Sequence, residues 1–151
     1  MDLFLKVIIV LLTFACMEGV AWFTHKYVMH GFLWALHKDH HKPNHKHAFE
    51  KNDSFFLIFA TPGITFILLG LNTSMWYLLW VGVGITLYGM AYFFIHDLFI
   101  HQRIRVLRNT NNEYLKSIRK AHKVHHKSTE KENGVCFGML FVPRKYHKAS
   151  E

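Results

Sequence analysis

Cysteine is scarce: Cys16 and Cys136 are the only two in 151 residues, and they fall in unlike surroundings. That excludes a disulfide scaffold and leaves iron–sulfur ligation without its thiolates. Acidic residues are few as well, 10 Asp and Glu against 18 Lys and Arg, for a net charge of +8. No glycine-rich nucleotide or flavin motif is present, so the chain brings no redox nucleotide of its own. No nucleic-acid recognition fold accompanies the basic charge, which makes nucleic acid a poor candidate partner. Disorder is excluded by 51% hydrophobic residues, among them 14 Phe, 6 Tyr and 4 Trp. What remains is a chain of one-domain size whose basic and apolar residues occupy separate territories, as they do in a membrane protein. The 13 histidines are the compositional figure that speaks of function, because imidazole is the commonest protein ligand for transition metals.

Three apolar runs build the membrane frame. Residues 3–22 are apolar apart from Lys6, Thr13 and Glu18. About 20 residues rising roughly 1.5 Å each cover the ~30 Å hydrocarbon core. A cleaved signal peptide is disfavoured by Asp2, by the missing small-x-small cleavage site and by the histidines that follow directly. Residues 55–71 form a second, shorter run interrupted by Pro62 and Gly63, which leaves tilting, kinking or re-entry open. Residues 75–95 form a third, joined to the second only by Asn72, Thr73 and Ser74, a turn that demands a helical hairpin. Seventeen of the eighteen basic residues lie in 25–51 or after Ile95, so the positive-inside rule puts both segments in the cytoplasm and the N-terminus outside. Two spans separate these segments, and they therefore emerge on the same face.

Ten histidines fall into four groups: His25 and His30; His37, His40 and His41; His96 and His101; His122, His125 and His126. The pattern H-x4-H followed by H-x2-H-H is stated twice. Helical spacing places the three rings of H-x2-H-H on one face, where they can grip a metal. The H-x4-H pairs lie roughly 140° apart on an ideal helix and need a helix end, a π-bulge or a metal on each ring's own side. Eight to ten imidazoles exceed the needs of one ion, so the count predicts two metals. Neutral imidazole ligation suits iron poised for O2 chemistry; ligand type alone leaves zinc open, although closed structural zinc sites usually recruit thiolates.

Other residues carry less defined expectations. His45, His47 and His147 lie in Lys-rich polar stretches and read as solvated. Glu18 lies two helical turns before His25 on the same face; it is either a functional intramembrane carboxylate or an interfacial partner of a basic residue. Asp97 and Gln102 adjoin motif histidines and could orient ring N–H groups or face water. Gly82, Gly84 and Gly89 read as helix-packing positions before substrate space. Tyr88 and Tyr92 share a face with His96, so they line the same pocket or form an interfacial belt. Residues 134–143 are apolar but too short to span, and are expected to cap the site or lie in the interface.

With these residues in hand the chain resembles the short bacterial carotenoid β-ring 3-hydroxylases of the membrane fatty-acid hydroxylase superfamily. The resemblance rests on HKYVMHGFLWALHKDHH at 25–41, FEKND at 49–53, HDLFIHQR at 96–103, AHKVHH at 121–126 and FGMLFVP at 137–143. It implies an all-α membrane protein of about three transmembrane helices with a cytoplasmic histidine-rich helical cap holding a dimetal site, a single domain over 1–151. It implies two non-haem iron ions, O2 as co-substrate, and hydroxylation at C3 of each ionone ring, taking β-carotene through β-cryptoxanthin to zeaxanthin. All ten motif histidines become candidate catalytic and metal-binding residues: His25, His30, His37, His40, His41, His96, His101, His122, His125 and His126. An unactivated C–H bond offers no charge to polarise, so a metal cofactor has to supply the hard step. The substrate is expected to enter from the bilayer of the bacterial inner membrane, with the active site on the cytoplasmic side. Electrons must come from outside; an acidic, ferredoxin-type donor suits the basic surface, which also attracts anionic lipid. A fatty-acyl hydroxylase or desaturase, a membrane metal carrier and a structural zinc protein are the competing readings.

Overall fold

The computed structural model describes residues 2–42, 49–104 and 109–147. Among them are five α-helices and no strand: α1 (Leu3–Phe23), α2 (Trp34–His41), α3 (Ser54–Asn72), α4 (Tyr77–Tyr92) and α5 (Glu113–His125). α1 opens on Asp2, whose carboxylate accepts the Phe4 N–H at 3.0 Å and so satisfies one of the free donors of the first turn. Two π-helical segments extend the spans, Thr24–Phe32 after α1 and Phe93–Ile100 after α4. With them, three helices are long and apolar enough to cross a membrane: Leu3–Phe32, Lys51–Asn72 and Tyr77–Ile100.

The second span is one continuous helix with Pro62 inside it, not a re-entrant loop. α3 turns after Asn72 into α4, and the two pack as the hairpin that their short connection requires. α4 lies between α3 and α1. Small residues set the approach. A Cβ added at Gly82 would lie 2.7 Å from the Gly63 carbonyl and from Ile67, and one at Gly84 would lie 2.7 Å from Thr13. In lipid, where apolar side chains gain little by leaving the solvent, such backbone proximity supplies the dispersion contacts that hold helices together. Gly89 differs, with nothing within 4 Å of its Cβ position.

Burial is inverted relative to a water-soluble bundle. Leu11, Phe56 and Leu57 on the spans are each more than 60% exposed, whereas His25, His30, His37, His40, His41, His96, His122 and His125 are buried. A lipid-facing apolar exterior costs nothing, and the polar interior is tolerated only because its groups pair with one another. The membrane ends of α1, α3 and α4 meet α2 and α5 around these histidines. The amphipathic α5 turns Ser117, Ile118, Ala121, His122 and His125 inward and leaves Lys116, Lys120 and Lys123 exposed.

Candidate metal centre

The two H-x4-H pairs sit in the two π-helical segments. A π-helix repeats its hydrogen bonds at i→i+5, which brings residues five apart onto one side, as His25/His30 and His96/His101 require. His101 caps its segment, its N–H bonded to the His96 carbonyl at 2.9 Å. Each H-x2-H-H trio lies on or at the end of a short α-helix, α2 for the first and the C-terminal turn of α5 for the second.

All ten motif histidines converge, and they divide into two groups. One holds His25, His30, His37, His41 and His125; the other holds His40, His101, His122 and His126. Within each group one ligand atom per residue lies within 4.8 Å of all the others. His96 joins the second, its Nε2 at 3.2 Å from that of His40. The trios are not used whole. Their i and i+4 members stay with their own H-x4-H pair, while the i+3 members, His40 and His125, cross into the opposite group. Each half of the chain thus completes the other's cluster.

Ring orientation is set from outside. Seven rings donate through Nδ1–H to an oxygen: His25 to the Phe137 carbonyl at 3.0 Å, His30 to Lys131 at 3.1 Å, His41 to Ser128 at 2.8 Å and His125 to Val135 at 2.7 Å. His37 donates to Asn52 Oδ1 at 2.7 Å, His40 to Glu50 at 2.9 Å and His96 to Asp97 at 3.3 Å. With the hydrogen on Nδ1, each Nε2 presents a lone pair inward. Those lone pairs crowd together. Nε2–Nε2 separations are 3.1 Å for His25 and His37, 3.1 Å for His30 and His41, and 3.2 Å for His40 and His96. Two acceptors at such distance repel unless a cation lies between them. Ligands about 2.0–2.1 Å from a metal stand roughly 3 Å apart when neighbouring bonds are near right angles. The His126 Nε2 is buried without a hydrogen-bond partner among the described residues, as a nitrogen awaiting a metal is.

Burial and mutual repulsion keep the rings of α2 and α5 neutral. Burial first, then neighbouring rings, drives His40 and His122 far below the usual imidazole range. Burial takes His37 down to about 2, His125 to about 3 and His41 to about 4. Neutral imidazole is the ligating form, so the cluster is ready for a divalent metal near neutral pH. Neither cysteine belongs to the groups: Cys16 is exposed on α1, and Cys136 lies in the loop above.

Asp97 takes the orienting role expected of it and also pairs with Arg103 at 3.1 Å. Gln102 contacts no ring among the described residues and sits at φ 52°. Sequence reasoning missed Glu50 and Asn52 as partners of His40 and His37, although both lie in the FEKND stretch. Arg103 binds Glu50 at 3.3 Å and Asp53 at 2.6 Å, joining that stretch to the Asp97 carboxylate. Residues 134–143 cap the cluster, their carbonyls serving His25 and His125 while the Phe137 ring packs edge-on against His25, His30 and His125. Tyr92 stacks on His96 at 4.7 Å, and buried Tyr88 donates its hydroxyl to Glu18, so neither serves an outer aromatic belt. His147 is exposed and bonded to the Val142 carbonyl, away from both groups. His45 and His47 lie outside the described residues.

The chain is 44% identical over 136 residues to a beta-carotene hydroxylase of Pantoea ananas, covering 90% of this chain and 77% of that one. It is 42% identical over 135 residues to a beta-carotene hydroxylase of Pseudescherichia vulneris, covering 89% and 76%. Beta-carotene 3-hydroxylase 2, chloroplastic, of Arabidopsis thaliana is 39% identical over 132 residues, which cover 85% of this chain and 43% of the plant protein. No solved structure matches. Residues 10–143 match the fatty acid hydroxylase family, and with the paired histidine groups occupying that same stretch, the chain belongs to it.

Proposed function

We propose that this protein is a β-carotene 3-hydroxylase, a membrane di-iron monooxygenase whose single domain spans residues 1–151. The observation that carries the reading is the division of ten inward-facing imidazoles into two groups of five at the membrane end of three apolar helices. His25, His30, His37, His41 and His125 hold one iron; His40, His96, His101, His122 and His126 hold the other. When bound, the pair of irons supplies O2 activation for insertion of one oxygen atom into an unactivated C–H bond.

The chain's own residues do the rest. Glu50, Asn52, Asp97 and the loop carbonyls hold each ring in the tautomer that leaves Nε2 free to ligate. The Phe137 ring covers one side of the cluster and excludes water from it. Substrate reaches the site laterally from the bilayer, because a carotenoid is confined there and the irons sit where the spans end. The basic segments support the cytoplasmic face of a bacterial inner membrane as the side of this end, where a ferredoxin-type donor delivers the electrons. The names of the relatives favour a carotenoid over a fatty acyl chain.

Expression in a bacterium that accumulates β-carotene tests the assignment. Pigments heavier by one and then two oxygen atoms are expected, with iron in the purified protein. His40→Ala and His125→Ala, each removing the histidine that crosses between groups, should lose both iron and product, whereas His147→Ala should keep both. Unchanged pigment from an inserted, iron-loaded protein would transfer the chemistry to another substrate.

A further inference from the structure

Glu18 is the one acidic side chain within α1, and it is only 7% exposed. A carboxylate at that depth is costly unless its oxygens are satisfied. They are. Oε1 accepts three successive backbone N–H groups, from Met139 at 2.9 Å, Leu140 at 2.8 Å and Phe141 at 3.0 Å, while Oε2 accepts the Tyr88 hydroxyl at 2.7 Å. No basic residue among the described ones takes part, which removes the reading of Glu18 as an interfacial partner of any of them. Beyond Glu18, the loop is held by the Tyr114 hydroxyl on the Leu140 carbonyl, by His147 on the Val142 carbonyl and by packing of Met139 and Val142. Among the described residues, Glu18 alone takes its backbone N–H groups. Residues 134–142 belong to no helix and make no backbone–backbone hydrogen bond with any described residue. Their path is strained at Cys136, at φ 60°. On either side of that residue, the Val135 and Phe137 carbonyls receive the Nδ1–H groups of His125 and His25.

We propose that Glu18 is a positioning residue of the metal centre: from within the membrane its carboxylate pins Met139, Leu140 and Phe141, and the pinned loop aims two carbonyls that orient His25 and His125 in the same group of five. The fit is close. A Cβ at Gly138 would stand 3.1 Å from Glu18 Oε1 and 3.1 Å from the Phe141 carbonyl, so a methyl there makes the carboxylate or the loop give by a few tenths of an ångström and lengthens the contacts between them. His37, in the same group, takes its Nδ1–H acceptor from Asn52 and not from the loop. The inference rests on the metal-centre reading above but not on the identity of the substrate.

The test uses the full-length protein in detergent micelles, loaded with zinc as a diamagnetic probe and labelled with 15N at histidine. Nδ1–H resonances of His25 and His125 report on the loop, and those of His37 and His40, held by Asn52 and Glu50, serve as internal controls. In Glu18→Leu, and in Gly138→Ala should the first variant fold poorly, the His25 and His125 protons should shift and exchange with solvent at least about tenfold faster, with the two controls unmoved. The iron-loaded variants should lose roughly 10- to 100-fold in kcat, the usual cost of removing a group that orients a metal ligand, at unchanged KM. Glu18→Gln keeps a carbonyl oxygen for the three N–H groups and should restore the His25 and His125 signals. Movement of all four protons together would reduce Glu18 to a general structural role, and movement of none would end the proposal. A wild-type protein that shows no zinc-dependent histidine signals would instead remove the metal centre itself. One that shows them yet hydroxylates no carotenoid would leave the positioning role intact and overturn only the substrate.

Discussion

Replacing Asn52 by leucine isolates the contribution of a single orienting contact. Asn52 is 9% exposed, and its Oδ1 accepts the His37 Nδ1–H at 2.7 Å, while His37 itself is 1% exposed. Leucine is close in size, so the cavity term is small and the change is one of hydrogen bonding. The His37 N–H then has no acceptor and no access to water, a loss of about 1–3 kcal/mol. With metal bound, the ring can avoid that cost only by rotating, which takes Nε2 away from the cluster it shares with His25 and His41 at 3.1 and 3.2 Å. Without metal the ring is free to rotate or to carry its proton on Nε2, so the penalty falls on the metal-bound state, and about 1.4–2.7 kcal/mol corresponds to a 10- to 100-fold loss of affinity. Titrating the purified protein with a chelator and counting metal by mass spectrometry reads this as a shift of one to two decades in the chelator midpoint for one ion of the pair. Asn52→Asp, which retains the acceptor, should keep the wild-type midpoint or tighten it. An unchanged midpoint in the leucine variant would show that His37 is oriented by packing and that the Asn52 contact is incidental.

Two further outcomes follow from the geometry. His37, His41 and His125 have folded-state pKa values lowered by burial to about 2, 4 and 3, against an ordinary value near 6.5 once unfolded. In metal-stripped protein the unfolded chain therefore binds protons that the folded chain refuses. The stability these neutral rings carry is fully present above pH 6.5 and is lost progressively as the pH falls from there toward their folded values. Thermal melts at pH 7 and pH 5 should show a marked drop that iron reloading at pH 7 suppresses; equal melting temperatures at the two pH values would contradict it. In the spans, Gly82→Ala forces a Cβ to within 2.7 Å of the Gly63 carbonyl and should cost about 1–3 kcal/mol in detergent unfolding, whereas Gly89→Ala meets nothing within 4 Å and should be neutral or slightly stabilising.

The spans, their hairpin and the ten histidines were legible in the sequence because each rests on local rules. A bilayer demands long apolar helices, a three-residue connection admits only a return crossing, and the count of two spans puts both histidine segments on one face. The i, i+5 spacing of His25/His30 and His96/His101 carried a signal of its own, since an α-helix cannot bring such a pair together and the structure supplies π-helical turns at both places. Pro62 left tilting, kinking and re-entry open, and the structure removes the last of these, since α3 continues through it.

Partnership across the chain was decided by tertiary structure alone. Spacing placed His37, His40 and His41 on one helical face and so implied a shared metal, but α2 lies between the two clusters and its middle histidine serves the far one. Nothing in the sequence ties Asn52 to His37, or Glu18 to three N–H groups some 120 positions away, because these pairs follow from how helices and loop dock rather than from any local periodicity. The sequence determined which imidazoles are grouped for ligation and that both histidine segments emerge at the same end of the spans. The tertiary packing determined which five imidazoles meet in each cluster, since assignment to a cluster depends on distances of a few ångströms between segments that only the folded chain brings together.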